Sequence, residues 1–127
     1  MTAELVIHHG IEYTLEWYYD NKGKSQALEY FNALSLIQKR KTLRLFVLMG
    51  DFGQIHDVTK FRSEEDAIYA FKPQPDRFLC FFFRGKKIIV TSAFRKKQDK
   101  LPRQEKEKAL KYKKDYEARV QKGVYYG

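Results

Sequence analysis

The sequence is short of residues on which many small proteins depend. Its 127 residues include one cysteine, so no disulfide can form within the chain, and we expect a reducing compartment. The three histidines, His8, His9 and His56, do not follow the spacing of zinc ligands. The longest strictly apolar run, residues 78–83, falls far short of the ~20 residues that span a membrane. Residues 1–10 lack the basic start and apolar stretch of a secretory signal, which predicts a cytoplasmic protein.

Familiar catalytic motifs are also missing. The sequence contains no nucleophile elbow, no phosphate-binding loop and no dinucleotide-binding fingerprint. One loop is rich in acids, and solvated carboxylates explain it more simply than a metal site does. The acids of this loop are Asp51, Asp57, Glu64, Glu65 and Asp66. We therefore expect no metal and no cofactor, and any catalysis is expected to rest on cations, aromatic rings and the histidines.

Positive charge is what the sequence has in excess. Its 25 Lys and Arg residues outnumber 16 acids, giving a formal charge of +9, which favours an anionic partner, nucleic acid first and an acidic protein second. Residues 95–122 alone hold twelve basic and five acidic residues. This segment is interpreted as a nucleic-acid-binding surface. The alternatives are a solvated helix face or a surface on which a partner protein docks.

Hydrophobic patterning predicts one domain over residues 1–127, with tails at about 1–10 and 121–127. The predicted strands cover residues 11–19, 67–72, 77–84 and 87–93, and the predicted helices cover 25–34, 36–50 and a segment that begins near Pro102. Ser35 and Gln38 have the spacing of a capping box at the start of the second helix, and Gly50 is predicted to end that helix. The order β-α-α-β-β-β-α predicts an α+β fold: a small, largely antiparallel sheet packed by an N-terminal helical hairpin and a C-terminal helix.

The same patterning predicts which side chains are buried. The run 78–83 barely alternates, so its strand is predicted to be central and covered on both faces. One side of the second helix is predicted to carry Leu36, Leu43, Phe46, Val47 and Gly50. The last helix has a narrow apolar stripe consisting of Ala109, Tyr112, Tyr116 and Val120.

Four short segments together resemble a known family. They are Ile68-Tyr69-Ala70-Phe71-Lys72, Arg77-Phe78-Leu79-Cys80-Phe81-Phe82, Ala93-Phe94-Arg95-Lys96-Lys97 and Lys100-Leu101-Pro102. Their order and spacing resemble the RelE/HigB superfamily of type II toxins, and within it the phage-derived HigB-like branch, over roughly residues 11–119. The resemblance implies a RelE/ParE-like fold.

The resemblance also implies an activity. Members of the superfamily are mRNA interferases, endoribonucleases that depend on the ribosome and cut mRNA in its A site. The implied chemistry uses no metal: a ribose 2′-OH attacks the adjacent phosphate and leaves a 2′,3′-cyclic phosphate and a 5′-OH. The implied partners are the ribosome, mRNA and a cognate antitoxin of the helix-turn-helix type, with no membrane.

The resemblance assigns roles to basic residues by motif position. The catalytic candidates are Lys72, Arg77, Arg95 and Lys97. The candidates for binding RNA or the ribosome are Lys60, Lys96, Lys100, Arg103, Tyr112 and Lys113. Tyr112 is a candidate because an unstacked base needs an aromatic surface, although a tyrosine on the apolar stripe of a helix is more often a core residue.

Two alternative functions remain open at this point. A ParE-like inhibitor would share the fold and poison gyrase without cutting RNA. A non-catalytic nucleic-acid-binding module of phage or prophage origin would explain the charge without an active site.

Overall fold

The computed structural model describes residues 5–127, which form one six-stranded sheet with helices on both faces. In chain order the elements are β1 (Val6–His9), β2 (Thr14–Trp17), α1 (Gln26–Asn32), α2 (Leu36–Phe52), β3 (Phe61–Ser63), β4 (Tyr69–Phe71), β5 (Asp76–Phe83), β6 (Lys87–Arg95) and α3 (Arg103–Gln121). The strands lie in the order β1-β2-β6-β5-β4-β3, and every neighbouring pair is antiparallel except β2 and β6. The predicted α+β class, with its largely antiparallel sheet, is confirmed.

The strands β5 and β6 are the centre of two separate cores. Side chains on one face of the sheet, including Phe71 and Phe78, pack with Trp17 and with Phe46 of α2. Side chains on the other face, including Leu79 and Phe81, pack against α3. Residues 78–81 have no exposed surface, so the prediction of a central strand covered on both faces is confirmed.

The first predicted strand is wrong in its extent. Residues 10–13 form a turn, closed by a hydrogen bond from the Gly10 N–H to the Tyr13 carbonyl (2.9 Å), and the chain on either side pairs as β1 and β2. The prediction that residues 1–10 are a tail is therefore wrong for Val6–His9, while residues 1–4 lie outside the described residues. The strand β3 was also missed, since its three residues lie in a segment predicted to be irregular.

The helix α2 is rotated and longer than predicted. The Gly50 carbonyl accepts hydrogen bonds from the N–H groups of Glu12 (2.8 Å) and Tyr13 (2.9 Å), and a Cβ added at Gly10 would lie 2.2 Å from that carbonyl oxygen. Gly50 therefore contacts the β1–β2 turn instead of ending the helix, which stops at Gly53 with a left-handed φ of 77°. This contact sets which side of α2 is buried, and the predicted core positions at Leu36, Leu43 and Val47 are exposed: the buried side consists of Thr42, Leu45, Phe46, Met49 and Gly50.

The helix α3 begins directly after Pro102, as predicted. Ala109 and Tyr116 are fully buried, and Tyr112 and Val120 pack against the same core, so the predicted apolar stripe is confirmed. Within residues 5–127, no helix is long and apolar enough to cross a membrane.

The C-terminal residues are tied to the sheet. The Tyr126 hydroxyl donates to Glu16 Oε1 (2.8 Å), and Glu16 Oε2 lies 3.0 Å from Lys87 Nζ. The Tyr125 hydroxyl accepts a hydrogen bond from the Tyr19 N–H (3.0 Å), and burial raises the pKa of Tyr125 to about 12. The prediction that residues 121–127 are a tail is therefore wrong for the two tyrosines.

Two phenylalanines of α2 provide a test of this packing. Phe46 is fully buried against Trp17, Phe71 and Phe78, whereas Phe52 is 70% exposed. We expect Phe46→Ala to lower the free energy of unfolding by about 3–5 kcal/mol, because it leaves a cavity. Phe52→Ala should change it by less than about 0.5 kcal/mol. Urea denaturation of both variants measures the difference, and equal losses would contradict the described orientation of α2.

Candidate active site

Three strand ends meet at one edge of the sheet. Because β4 and β6 both run antiparallel to β5, the end of β4, the start of β5 and the end of β6 lie side by side. The register pairs Phe71 with Phe78 and Arg77 with Phe94. Lys72, which follows β4, and Lys96, which follows β6, therefore flank Arg77.

Strand alternation sends these side chains toward α3. Ala70 and Leu79 belong to the core beneath α3, and Lys72 and Arg77 are two residues away on their respective strands. Leu101 and Pro102, at the start of α3, close the far side of a small pocket. This pocket, which we call the cationic pocket, is lined by Glu64, Ala70, Lys72, Arg77, Phe94, Lys96, Gln98, Asp99, Lys100, Leu101 and Pro102.

The turn between Lys72 and Arg77 is held by α2. Gln38 Nε2 donates to the carbonyl oxygens of Pro73 (2.6 Å) and Gln74 (3.0 Å). The Gln38 N–H in turn donates to the Ser35 hydroxyl (3.2 Å), which is one half of the predicted capping box. Gln38 thus connects the start of α2 to the turn between the two cations.

Arg77 is a buried cation without a carboxylate partner. Its side chain has 8% exposure, and Nη1 donates to Gln74 Oε1 (3.0 Å) and to the Asp76 carbonyl oxygen (2.9 Å). Burial lowers its pKa, but a guanidinium remains charged at neutral pH. Within residues 5–127, no Asp or Glu oxygen lies within 4.0 Å of it. The negative charges of Glu64, Asp76 and Asp99 act on this guanidinium from a distance and partly oppose the effect of burial on its pKa. Because none of them forms an ion pair with it, the guanidinium is suited to contact an anionic ligand.

Lys72 is the most perturbed lysine of the pocket. Its pKa is lowered, first by burial and then by the positive charges of Arg77, Arg62 and Lys96. Its Nζ donates to the Val58 carbonyl oxygen (3.0 Å), which fixes the side chain at the pocket. A lowered pKa increases the fraction of neutral amine, the form that accepts a proton.

Two carboxylates stand at the rim of the pocket. Glu64 has an 11% exposed side chain and lies 3.5 Å from Arg62 Nη2. Asp99 is fully exposed and lies 2.9 Å from Lys96 Nζ, a hydrogen bond that lowers the pKa of Asp99. The Lys96 N–H also donates to the Pro75 carbonyl oxygen (2.8 Å), which holds this lysine against the turn.

Two of the predicted catalytic residues do not line the cationic pocket. The register pairs Arg95 with Asp76, and alternation places both on the face opposite Arg77. There Asp76 accepts a hydrogen bond from the Tyr30 hydroxyl, and burial raises the pKa of that tyrosine. Lys97 is exposed beyond the strand end. The pocket thus contains Lys72 and Arg77 of the catalytic set, together with Lys96 and Lys100 of the RNA-binding set.

The remaining predicted RNA-binding residues are spread over the surface. Arg103 is paired with Glu107 (3.1 Å), and Lys113 is paired with Glu117 (3.0 Å). The Tyr112 ring is stacked on Tyr18, with centroids 4.7 Å apart, so that face of the ring is occupied. Lys60 lies on the other side of Lys72, in a neighbouring groove.

Sequence reasoning missed Arg62 and Glu64 as neighbours of the pocket. Both belong to the segment interpreted as irregular and acidic, and a strand of three residues gives almost no periodic signal. No group of three or more His, Cys, Asp or Glu residues within 5–127 is arranged to hold a metal ion.

Comparison with known proteins identifies the family of the chain. The sequence model of the family described as phage derived protein Gp49-like (DUF891) matches residues 29–114, which include α2 and every residue that lines the cationic pocket. No curated protein matches the sequence. The Gp49-like family is a toxin-like family related to RelE/HigB. Because the match covers more than half of the chain, the protein belongs to the phage-derived Gp49-like family.

Proposed function

We propose that the protein is the toxin of a type II toxin–antitoxin system, of the HigB-like branch, and that it cuts mRNA on the ribosome in the cationic pocket. The observation that supports this best is Arg77, a buried guanidinium without a carboxylate partner, between two lysines. Membership of a toxin-like family supports the biological role. A cognate antitoxin of the helix-turn-helix type and the ribosome are the proposed partners.

The proposed reaction is an internal transfer within the RNA. The 2′-oxygen attacks the adjacent phosphorus, the bond from phosphorus to the 5′-oxygen breaks, and the products are a 2′,3′-cyclic phosphate and a 5′-hydroxyl. Charge builds up on the non-bridging phosphate oxygens during this step. Arg77 stabilises that charge, because the donors of its fork that do not bond Gln74 or Asp76 are available to two oxygens at once.

Two proton transfers complete the step. The neutral amine of Lys72 takes the proton from the 2′-hydroxyl, and the ammonium of Lys96 gives one to the departing 5′-oxygen. Glu64 is the second candidate for the base, since its carboxylate lines the same pocket as Lys72. The cleavage rate is expected to depend differently on pH for each of these two bases.

Replacement of Arg77 tests the charge stabilisation. We expect Arg77→Ala to lower the single-turnover rate on mRNA-programmed ribosomes by about 10²–10³-fold, the usual loss for a donor aimed at developing charge. Arg77→Lys should recover only part of it, because an ammonium is a point charge without the fork.

The matched control for Arg77 is Lys86→Ala, at the exposed turn on the far end of the β5–β6 hairpin. It should leave the rate within about twofold of wild type, as expected of a surface position away from the site. A rate loss as large as that of Arg77→Ala would contradict the assignment of the pocket.

The pH dependence of the rate identifies the base. If Lys72 is the base, the rate rises with pH about tenfold per unit while the amine is mostly protonated, and it levels off at a pKa below the usual 10.5. Lys72→Arg keeps the charge and should abolish this rise, whereas Glu64→Gln should keep it. Loss of the pH dependence in Glu64→Gln and its retention in Lys72→Arg would assign the base to Glu64.

Expression in a bacterial host tests the function as a whole. We expect induction to arrest growth and to produce in-frame cuts in translated mRNA, detected by mapping 5′ ends. The Lys72→Ala/Arg77→Ala double variant should do neither. Arrest with intact mRNA would favour the gyrase inhibitor instead, and neither arrest nor cuts would favour the non-catalytic binding module.

A further inference from the structure

A second basic surface adjoins the cationic pocket. It lies between α2 and the edge of the sheet formed by β3 and β4. Four basic side chains from three parts of the chain line it. We call it the basic groove, and its cations are Lys41, Arg44, Lys60 and Lys72. Leu45, Leu48 and Pro73 form its apolar floor.

The cations of the basic groove lack acidic partners. Within residues 5–127, no carboxylate oxygen lies within 4.0 Å of any of the four. The helix α3 differs, because several of its cations are paired. Those paired with carboxylates are Arg103, Lys106, Lys108, Lys113 and Arg119. Asp57 is near enough to be affected: its pKa is lowered by hydrogen bonds from Thr59 and also by the charges of Lys60 and Lys72. This one exposed carboxylate forms no ion pair with either lysine, so the positive charge of the groove is offset only in part.

Two of these ammonium groups are held in place by backbone carbonyls. Lys41 Nζ donates to the Gln74 carbonyl oxygen (2.8 Å), and Lys72 Nζ donates to the Val58 carbonyl oxygen (3.0 Å). A carbonyl orients an ammonium without cancelling its charge. Less side-chain freedom is then lost when an anion binds, which is the advantage of a preformed site.

The groove and the pocket share Lys72. A phosphate held at Lys72 in the pocket therefore has its neighbouring phosphates at the entrance of the groove. Since an RNA strand carries a negative charge at every nucleotide, a strand that is cut in the pocket must continue past Lys72. The groove offers unpaired cations and an apolar floor along that course, a combination suited to a single strand.

We propose that the basic groove binds the sugar-phosphate backbone of the RNA strand that is cut in the pocket, with Lys41, Arg44 and Lys60 as positioning residues. This proposal rests on the proposed function and adds a binding track on α2. Contacts to phosphate position a strand without reading its bases. The groove therefore contributes to affinity equally for different sequences.

Direct binding tests the groove without requiring cleavage. The probe is a fluorescent single-stranded RNA with 2′-O-methyl groups, which has no 2′-hydroxyl to attack, and its Kd is measured with the full chain over a range of salt concentrations. We expect Lys41→Gln/Arg44→Gln to weaken binding about tenfold. The slope of log K against log salt should fall by about 1.4, or roughly 0.7 for each lost phosphate contact to a single strand.

The matched control replaces one lysine and one arginine of the same helix outside the groove. Lys39→Gln/Arg40→Gln changes the net charge equally and should leave the salt slope unchanged. Lys60→Gln provides an independent groove variant that leaves α2 intact and should lower the slope by about 0.7. Thermal melting of each variant verifies that it is folded.

The outcomes separate the groove from the catalytic proposal. The proposal for the groove would be overturned if the groove and control variants had equal slopes of log K against log salt. It would also be overturned if the wild type showed no salt-dependent binding. Normal binding of the probe by groove variants, combined with loss of ribosome binding or of antitoxin neutralisation, would also overturn it and assign the surface to that partner. If the groove variants have reduced slopes but the wild-type protein fails to cut mRNA, the result would support RNA binding by the groove and refute only the proposed nuclease activity.

Discussion

The alternation of side chains along the β5–β6 ladder is the constraint on which the rest of the structure depends. Both strands are covered on two faces, so each residue must belong either to the core under α2 or to the core under α3. That rule extends past the core to the strand ends. It directs Arg77 toward the pocket, and it directs its neighbours in the chain, Asp76 among them, to the opposite face. A shift of one residue in the register would exchange the two sets.

The distribution of unpaired positive charge on the folded protein differs from the distribution of basic residues along the sequence. The most basic stretch of the sequence is residues 95–122, and it contributes most of the Lys and Arg side chains that pair with carboxylates. The cations of α2 are fewer and are interrupted by apolar residues. Two of them, Lys41 and Arg44, nevertheless line the basic groove, and neither forms an ion pair with a carboxylate within the described residues. Pairing within the fold, rather than local density in the sequence, decides which positive charge remains available to a polyanion.

Much of the fold could be predicted because its central elements have strong periodicity. The apolar run of β5, the capping box of α2 and the stripe of α3 indicated the order of the main elements. The short strands β1 and β3 could not be predicted, since three or four residues show little alternation and depend on their partners. The orientation of α2 could not be predicted from the local sequence pattern either. It follows from the contact between Gly10 and Gly50, which are forty residues apart in the chain.

The candidate site was predictable in part for the same reasons. Lys72 and Arg77 adjoin well-marked strands, so strand ends identified them. Arg95 and Lys97 were grouped with Lys96 because they are consecutive, although a strand sends consecutive side chains to opposite faces. Arg62, a neighbour of the pocket, and Glu64, which lines it, carried no signal, since their positions depend on an edge strand that pairs only with β4.

The contacts of the C-terminus have a consequence for how this protein can change over time. The family match ends at residue 114 and begins at residue 29. Outside it, residues 5–28 and residues 115–127 meet in space, where the Tyr18 hydroxyl donates to Asp115 and the Tyr126 hydroxyl donates to Glu16. Together they hold the end of the helix whose start forms a wall of the pocket. The flanks therefore form one structural unit made from both ends of the chain, and substitutions in one flank are expected to be inherited together with compensating substitutions in the other.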